Sequence, residues 1–372
     1  MEYSRELLGS LAQFTAIDAL AFGVPGETPP HVDNVTWRLV DQAEPPRWMS
    51  LATTLPNVAF RHFGHRFLSA AIEAARGADA VFIDFIGLFW MVEPMRRAFR
   101  DWLNPPLIIV VNHNVEGDVR RQMVDAEESP VMKAILGIDA WKAARLEIRA
   151  NRSADGLIAN TPADAHRFEQ IAERPGVVIM PAYAGPRAPP RIIGPTTPER
   201  ICILGNREAH HKRMVLERTL QALSSAGVER RFAIDIVGAG DYREVQTRYP
   251  GFNYVGHLDN LDDYLRTVRF GLIPDEIGGG FKVRALTHAF QRVPMLAVRA
   301  AVLGMGLTAD QDYVEARDLM DMAKIIPELI EDFDRLNRIK DAAFAHCAAA
   351  FDWEQRGRQL DQFVRDCPRA SA

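Results

Sequence analysis

The chain is poor in cysteine. Only Cys202, Cys347 and Cys367 occur in 372 residues. None stands at metal-ligand spacing from another, and an odd count leaves one unpaired. A reducing compartment, most simply the cytoplasm, is expected. An uncharged apolar run of about 18 residues, the length a membrane-spanning helix needs, is also missing. The longest candidate, AVFIDFIGLFWMV, is broken by Asp84 and Gly87. The opening MEYSRELLGSLAQF puts Glu2 and Glu6 where a secretion leader carries a basic and then an apolar run. Nor is there a basic excess: the formal net charge is -5. Phosphate contact dominates nucleic-acid affinity, so a duplex-wrapping protein is excluded and no nucleic-acid partner is expected.

What is present is ordinary globular material, 48% apolar and 25% charged, which rules out global disorder. At about 150 residues per domain the length predicts two domains or one large one. Strand-like and helix-like segments alternate. ADAVFIDFIGL is β-rich; the next stretch is apolar at Val92, Met95, Phe99 and Leu103, which is helical spacing, with Pro94 in the first turn. PPLIIVVNHNVEG reads as a buried parallel strand feeding a loop. A helix over 130–151, the strand ADGLIANT, a helix begun by Pro162 and the strand GVVIMPA follow. The stretch 183–200, YAGPRAPPRIIGPTTPER, reads as a linker. Beyond it the alternation restarts with ERICILGN and runs to VPMLAV; from about residue 310 the chain is predicted mainly helical. This pattern predicts α/β architecture, parallel sheets with helices on both faces, in two domains. Ligands then bind beyond the carboxyl ends of the strands. The chain opens on a helix, YSRELLGSLAQ, followed by a strand, AIDALAFGV, and not on a strand with a Gly-rich turn; that first strand is expected to be missing before Tyr3.

The second half holds the sharpest motifs: LGNREAHHKRMVLERTLQAL, then DIVGAGD, YVGHLDNLDDYLRTVRFGLIP and GGGFKVRALTHAFQRVPMLAV. Upstream stand VVNHNVEGD and LEIRANRSADGLIANT, and near the end FDWEQRGRQLDQFV. In order and spacing this set resembles the GT-B glycosyltransferases, and most of all glycosyltransferase family 4, over roughly residues 78–365. The resemblance implies two Rossmann-like domains facing across a cleft. One is an acceptor-side domain over 1–185, completed by a terminal helix at about 350–372; the other is a nucleotide-sugar domain over 198–350.

Physical reading and resemblance then meet at particular residues. Gly205, Arg207 and Lys212 lie between a strand and a helix N-terminus, where free N–H groups and the macrodipole attract anions. By resemblance the two cations hold the donor diphosphate. Gly278, Gly279 and Gly280 form a turn able to let a ligand approach the backbone, followed by Phe281 and by Lys282, a further phosphate cation. His257 and Leu258 follow a short strand whose backbone, in the family, meets the nucleotide base. Retaining members carry a Glu-x7-Glu pair; here its positions fall on Gly279 and Thr287. Thr287 offers one hydroxyl to the ribose, and Asp275 and Glu276, slightly upstream, are the acids expected to substitute at the donor sugar. His113 is implied to face that sugar, with local loop bonding as the competing reading. An inverting enzyme would need a general base such as Glu116 or Asp118; a retaining one would not.

Two basic–aromatic clusters remain. One sets Arg96, Arg97 and Arg100 beside Phe99 and Trp102; the other is Arg61, His62, Phe63, His65, Arg66 and Phe67. Helical spacing favours core packing for the first, with peripheral contact at the inner face of a membrane as the second reading. The resemblance implies transfer from a nucleotide-diphosphate-sugar to a glycan or lipid-linked acceptor, with retention, no required metal and no cofactor, in polysaccharide or glycoconjugate assembly of a bacterial kind. An inverting enzyme and a catalytically impaired binding subunit stay open as alternatives.

Overall fold

The computed structural model describes residues 2–23, 28–29, 31–41, 45–172, 176–208, 210–276 and 281–368. The chain divides into two compact units, one formed by Met1–Pro181 with Trp353–Ala372 and the other by Ala182–Asp352.

The first unit runs α1 (Glu2–Leu11), β1 (Ile17–Phe22), β2 (Val35–Val40), α2 (Asn57–Arg61), α3 (His65–Ala74), β3 (Ala80–Asp84), α4 (Val92–Phe99), β4 (Leu107–Asn112), α5 (Glu116–Ala126), α6 (Pro130–Ser153), β5 (Gly156–Ala159), α7 (Pro162–Ala172) and β6 (Val177–Val178). Strands β3, β4, β5 and β6 lie side by side in that order, all parallel, while β1 and β2 pair with each other as a separate parallel sheet. Every residue of β4 (LIIVVN) and β5 (GLIA) is buried, which is why both read as unbroken apolar runs. Local signals start the helices: Ser129 Oγ accepts from Met132 N ahead of Pro130, and Thr161 Oγ1 accepts from Asp164 N ahead of Pro162. Val92, Met95 and Phe99 are buried, but Leu103 is 95% exposed, because α4 ends at Phe99 and Leu103 lies beyond the helical stripe. Arg96 is committed to Ser153 O and Asp155, and Trp102 packs against Phe99 with the rings tilted, so this cluster packs as its spacing requires.

The second unit runs β7 (Arg200–Leu204), α8 (His210–Ser225), β8 (Ala233–Val237), α9 (Arg243–Arg248), β9 (Asn253–Gly256), α10 (Leu261–Arg266), β10 (Phe270–Ile273), α11 (Val283–Phe290), β11 (Met295–Val298), β12 (Val314–Ala316), α12 (Leu319–Leu329) and α13 (Phe333–Ala350). Its six strands are all parallel in the order β12-β11-β10-β7-β8-β9. Beyond residue 310 the chain is mainly helical, as expected, with β12 a short edge strand whose three residues are too few to show a period. The Pro-rich stretch 183–200 is laid onto this unit. Ala188 N donates to Phe290 O at 2.9 Å, and the Arg191 guanidinium donates to four carbonyls, those of Leu265, Arg266, Val268 and Arg292. Finally α14 (Trp353–Asp366) belongs to the first unit, where a Cβ at Gly357 would sit 2.2 Å from Ser10 O. Glycine there lets α14 press against α1.

Candidate functional site

In the second unit the strand order reverses between β7 and β10, and the crevice beyond the carboxyl ends of such a pair is where doubly wound sheets bind ligands. Two glycines shape it. Gly205 ends β7 with φ 128° and Gly238 ends β8 with φ 136°, both in the region L side chains avoid. A Cβ on Gly238 would lie 2.3 Å from Gly205 O, so the two turns touch backbone to backbone. Gly205 N donates to Val237 O and Arg207 N to Ala239 O, at 2.9 and 2.7 Å. That fixes the loop and turns the Arg207 side chain inward, where it is 1% exposed. Its Nη2 donates to Leu204 O at 3.0 Å, while Nε and Nη1 have no partner among the described residues. A buried guanidinium with two idle donors is costly in a finished core, and those donors are suited to an anion.

Other charges converge there. Lys212 stands in the first turn of α8. Arg284, the second residue of α11, places Nη1 3.1 Å from Asp275 Oδ2 and 3.4 Å from Leu204 O. Burial, and then the charge of Arg284, bring Arg207 down to about 10. Burial, Arg284 and Arg207 likewise lower Lys212, with Asp275 and Glu208 pulling the other way. Three cations and one buried carboxylate make a site for a ligand with more than one negative charge.

The remaining expected residues spread more widely. Glu276 Oε2 turns to Arg218 of α8, 3.2 Å away. Gly278, Gly279 and Gly280 lie outside the described residues. Phe281 rests against Phe351, ring centroids 5.4 Å apart. Lys282 immediately precedes α11, and Thr287 lies three residues past Arg284 on the same helix, and so on a neighbouring face. The His257 side chain is 74% exposed, 3.6 Å from Asp259, and Leu258 packs on the cluster of Leu265 and Val268.

In the first unit His113 follows the end of β4, and its Nε2 lies 2.6 Å from Asp84 Oδ1 at the end of β3. The Tyr3 ring meets the imidazole edge-on at 5.3 Å. The loop after His113 is pinned from α6: Glu147, 1% exposed, accepts from Glu116 N and Gly117 N at 2.7 and 3.1 Å. One turn on, Asn151 exchanges side-chain bonds with Asn112 at 2.9 and 3.1 Å. The two carboxylates considered as bases are engaged elsewhere, Glu116 with Arg120 and Asp118 with Arg167. Asp84, Glu147 and Arg284 are the residues that the sequence reading did not assign to a site. Asp84 had a signal, a carboxylate at the carboxyl end of a strand; Arg284 had none.

Among the described residues no three His, Cys, Asp or Glu side chains stand together as a metal-binding set, and no helix is long and apolar enough to cross a membrane. Compared by sequence, the chain matches no family model and no curated protein. Compared by structure, it is similar to sucrose-phosphate synthase from Thermosynechococcus elongatus, with a TM-score of 0.70 at 14% identity over 98% of this chain and 92% of that one. It is also similar to Anabaena HepE in complex with UDP and glucose, with a TM-score of 0.65 at 12% identity over 98% and 96%. A third similar structure is the trehalose 6-phosphate synthase of Burkholderia multivorans, with a TM-score of 0.63 at 12% identity over 97% and 91%. The chain therefore has the GT-B fold, α/β with two Rossmann-like units built on parallel sheets.

Proposed function

We propose that this chain is a nucleotide-sugar-dependent glycosyltransferase. The observation that carries the reading is Arg207, buried at the strand-order reversal with two donors idle and with Lys212 and Arg284 beside it. Charge develops on the departing diphosphate as the glycosidic bond breaks, and preorganised cations in a dry site stabilise it. Arg207, Lys212 and Lys282 are assigned to that diphosphate, Gly205 and, from the sequence, Gly278, Gly279 and Gly280 to close approach of the donor, and Thr287 to the ribose. His257 and Leu258 offer backbone to the base. His113, held by Asp84, is assigned to the donor sugar.

Transfer with retention fits this set, because Glu116 and Asp118, the two carboxylates considered as bases, are each paired with an arginine. The acceptor hydroxyl then attacks from the face the diphosphate leaves, and the departing phosphate oxygen takes its proton. The acceptor is assigned to the glycan or lipid-linked class, and no metal is required where cations do this work. HepE, similar in fold, is described with UDP and glucose, which makes UDP-sugars the first donors to try. The experiment is a screen of UDP-, GDP- and ADP-sugars by calorimetry and by hydrolysis. Binding with turnover supports the enzyme. Binding without turnover favours the impaired binding subunit, a reading that Thr287 at an acidic position keeps alive. No binding to any of them overturns the assignment.

A further inference from the structure

We infer that Asp275 occupies the phosphate position of this site in the free protein, and that Arg284 is a further phosphate cation, beyond Arg207, Lys212 and Lys282, released to the ligand when the diphosphate displaces that carboxylate. The inference rests on the nucleotide-diphosphate reading above and adds to it a residue and a means of regulation.

The geometry carries it. Asp275 lies just beyond β10 and Arg284 in the first turn of α11, so the pair spans the ends of two elements that border Gly205. A Cβ on Gly205 would lie 3.3 Å from Arg284 Nη1, which puts the guanidinium directly over the backbone that a phosphate would approach. The contact with Asp275 is an ion pair at 3.1 Å, yet Oδ2 accepts no hydrogen bond there. The carboxylate is close to the fork without being seated in it. Asp275 is 4% exposed, so little water compensates it. Carboxylate and phosphate present similar oxygen pairs to a guanidinium, and a doubly charged diphosphate interacts more strongly with it than one carboxylate does. The charges agree. Three cations against one carboxylate leave a net excess of two positive charges, and moving Asp275 aside leaves three for the incoming anion. An internal anion that competes with the ligand lowers apparent affinity while keeping the empty site from holding three unpaired cations.

The test is titration calorimetry of the full chain with UDP, with UMP and with inorganic pyrophosphate, on the wild type and on Asp275→Asn, Arg284→Ala and Arg284→Lys. Thermal melting of each variant is measured alongside. Asp275→Asn is expected to bind UDP about 10-fold more tightly, in keeping with removal of one charge competitor worth ~1.4 kcal/mol. Arg284→Ala is expected to bind UDP about 10-fold or more weakly and to lose most of the preference for UDP over UMP, with Arg284→Lys recovering part of it. If Asp275→Asn binds as weakly as the wild type or more weakly while melting normally, Asp275 is a fixed support and the exchange is overturned. If Asp275→Asn does not fold, an unchanged UDP-over-UMP ratio in Arg284→Ala overturns the proposal by itself. Wild type that binds none of the three probes sinks the nucleotide reading instead, a result distinct from either of these.

Discussion

Asp84 and His113 stand at the carboxyl ends of neighbouring parallel strands, Oδ1 to Nε2 at 2.6 Å. The bond sets the orientation of the imidazole and leaves Nδ1 as the nitrogen free to face a ligand. Burial pushes the Asp84 carboxyl up, but the bond to His113, its charge and a bond from Ser4 together hold it below the usual carboxylate range. A depressed carboxylate stabilises the fold above its ordinary titration range, and that contribution is lost as pH falls through the lowered value.

Asp84→Asn keeps the shape and removes the charge. Turnover on the donor found by the screen is expected to fall by roughly 10- to 100-fold, with little change in donor affinity, as for other groups that orient a catalytic His. In the acid limb, wild type is expected to lose stability relative to the variant. Equal turnover of the two proteins would show that the pair serves the fold alone.

Arg207 gives an opposite signature. Truncating an anion-binding residue that is buried and half-unpaired removes function and removes an uncompensated charge together. Arg207→Met is therefore expected to abolish nucleotide binding while its urea midpoint stays level or rises. Lys212→Ala, at a helix start with less burial, is expected to lose transfer with an unchanged midpoint. Full activity in both would remove the diphosphate assignment; a collapsed midpoint in Arg207→Met would make the residue structural.

Much of this was legible in the chain. LGN, VGAG and YVGH each show an apolar run closed by glycine, because a buried parallel strand shows no alternation and its turn needs a conformation that Gly205, Gly238 and Gly256 supply. VVNH was legible for the same reason. Arg284 was not: in sequence it is one more cation in a first helical turn, and only the sheet order sets it over Gly205, 79 residues earlier. Asp84 read as an interruption of an apolar run until β3 was seen to end there. Strand β1 was legible in AIDALAFGV, but its partner β2 was hidden, since VTWRLV is short and half-exposed on both faces.

Gly238 tests the packing of the turns. Its φ of 136° and the 2.3 Å approach to Gly205 O mean that a methyl group there meets backbone, which cannot move as a flexible side chain would. Gly238→Ala is expected to cost about 2 kcal/mol or more, in the range of strained backbone positions. Nucleotide binding is expected to weaken with it, because the same contact fixes Arg207. Gly227, at the end of α8 with open space around its Cβ, is the control: Gly227→Ala is expected to cost less, as read by urea midpoints for both.

Glu147 predicts a pH dependence of the opposite sign to Asp84. Burial pushes its carboxyl up to about 8, against the two backbone N–H bonds from Glu116 and Gly117 and with the charges of Glu116 and Asp118 adding to the rise. The folded chain then keeps this proton across a window in which the unfolded chain has released it. Stability must fall as pH rises from the ordinary carboxylate range, near 4.5, to about 8, and level off above it. Glu147→Gln carries no such titration and still accepts one N–H bond. The stability advantage of wild type over this variant is therefore expected to shrink steadily between pH 5.5 and pH 8.5, by on the order of a few kcal/mol. Urea midpoints at three pH values decide it. A difference that stays constant would mean that Glu147 is ionised in the fold, with the N-terminus of α5 stabilising its charge.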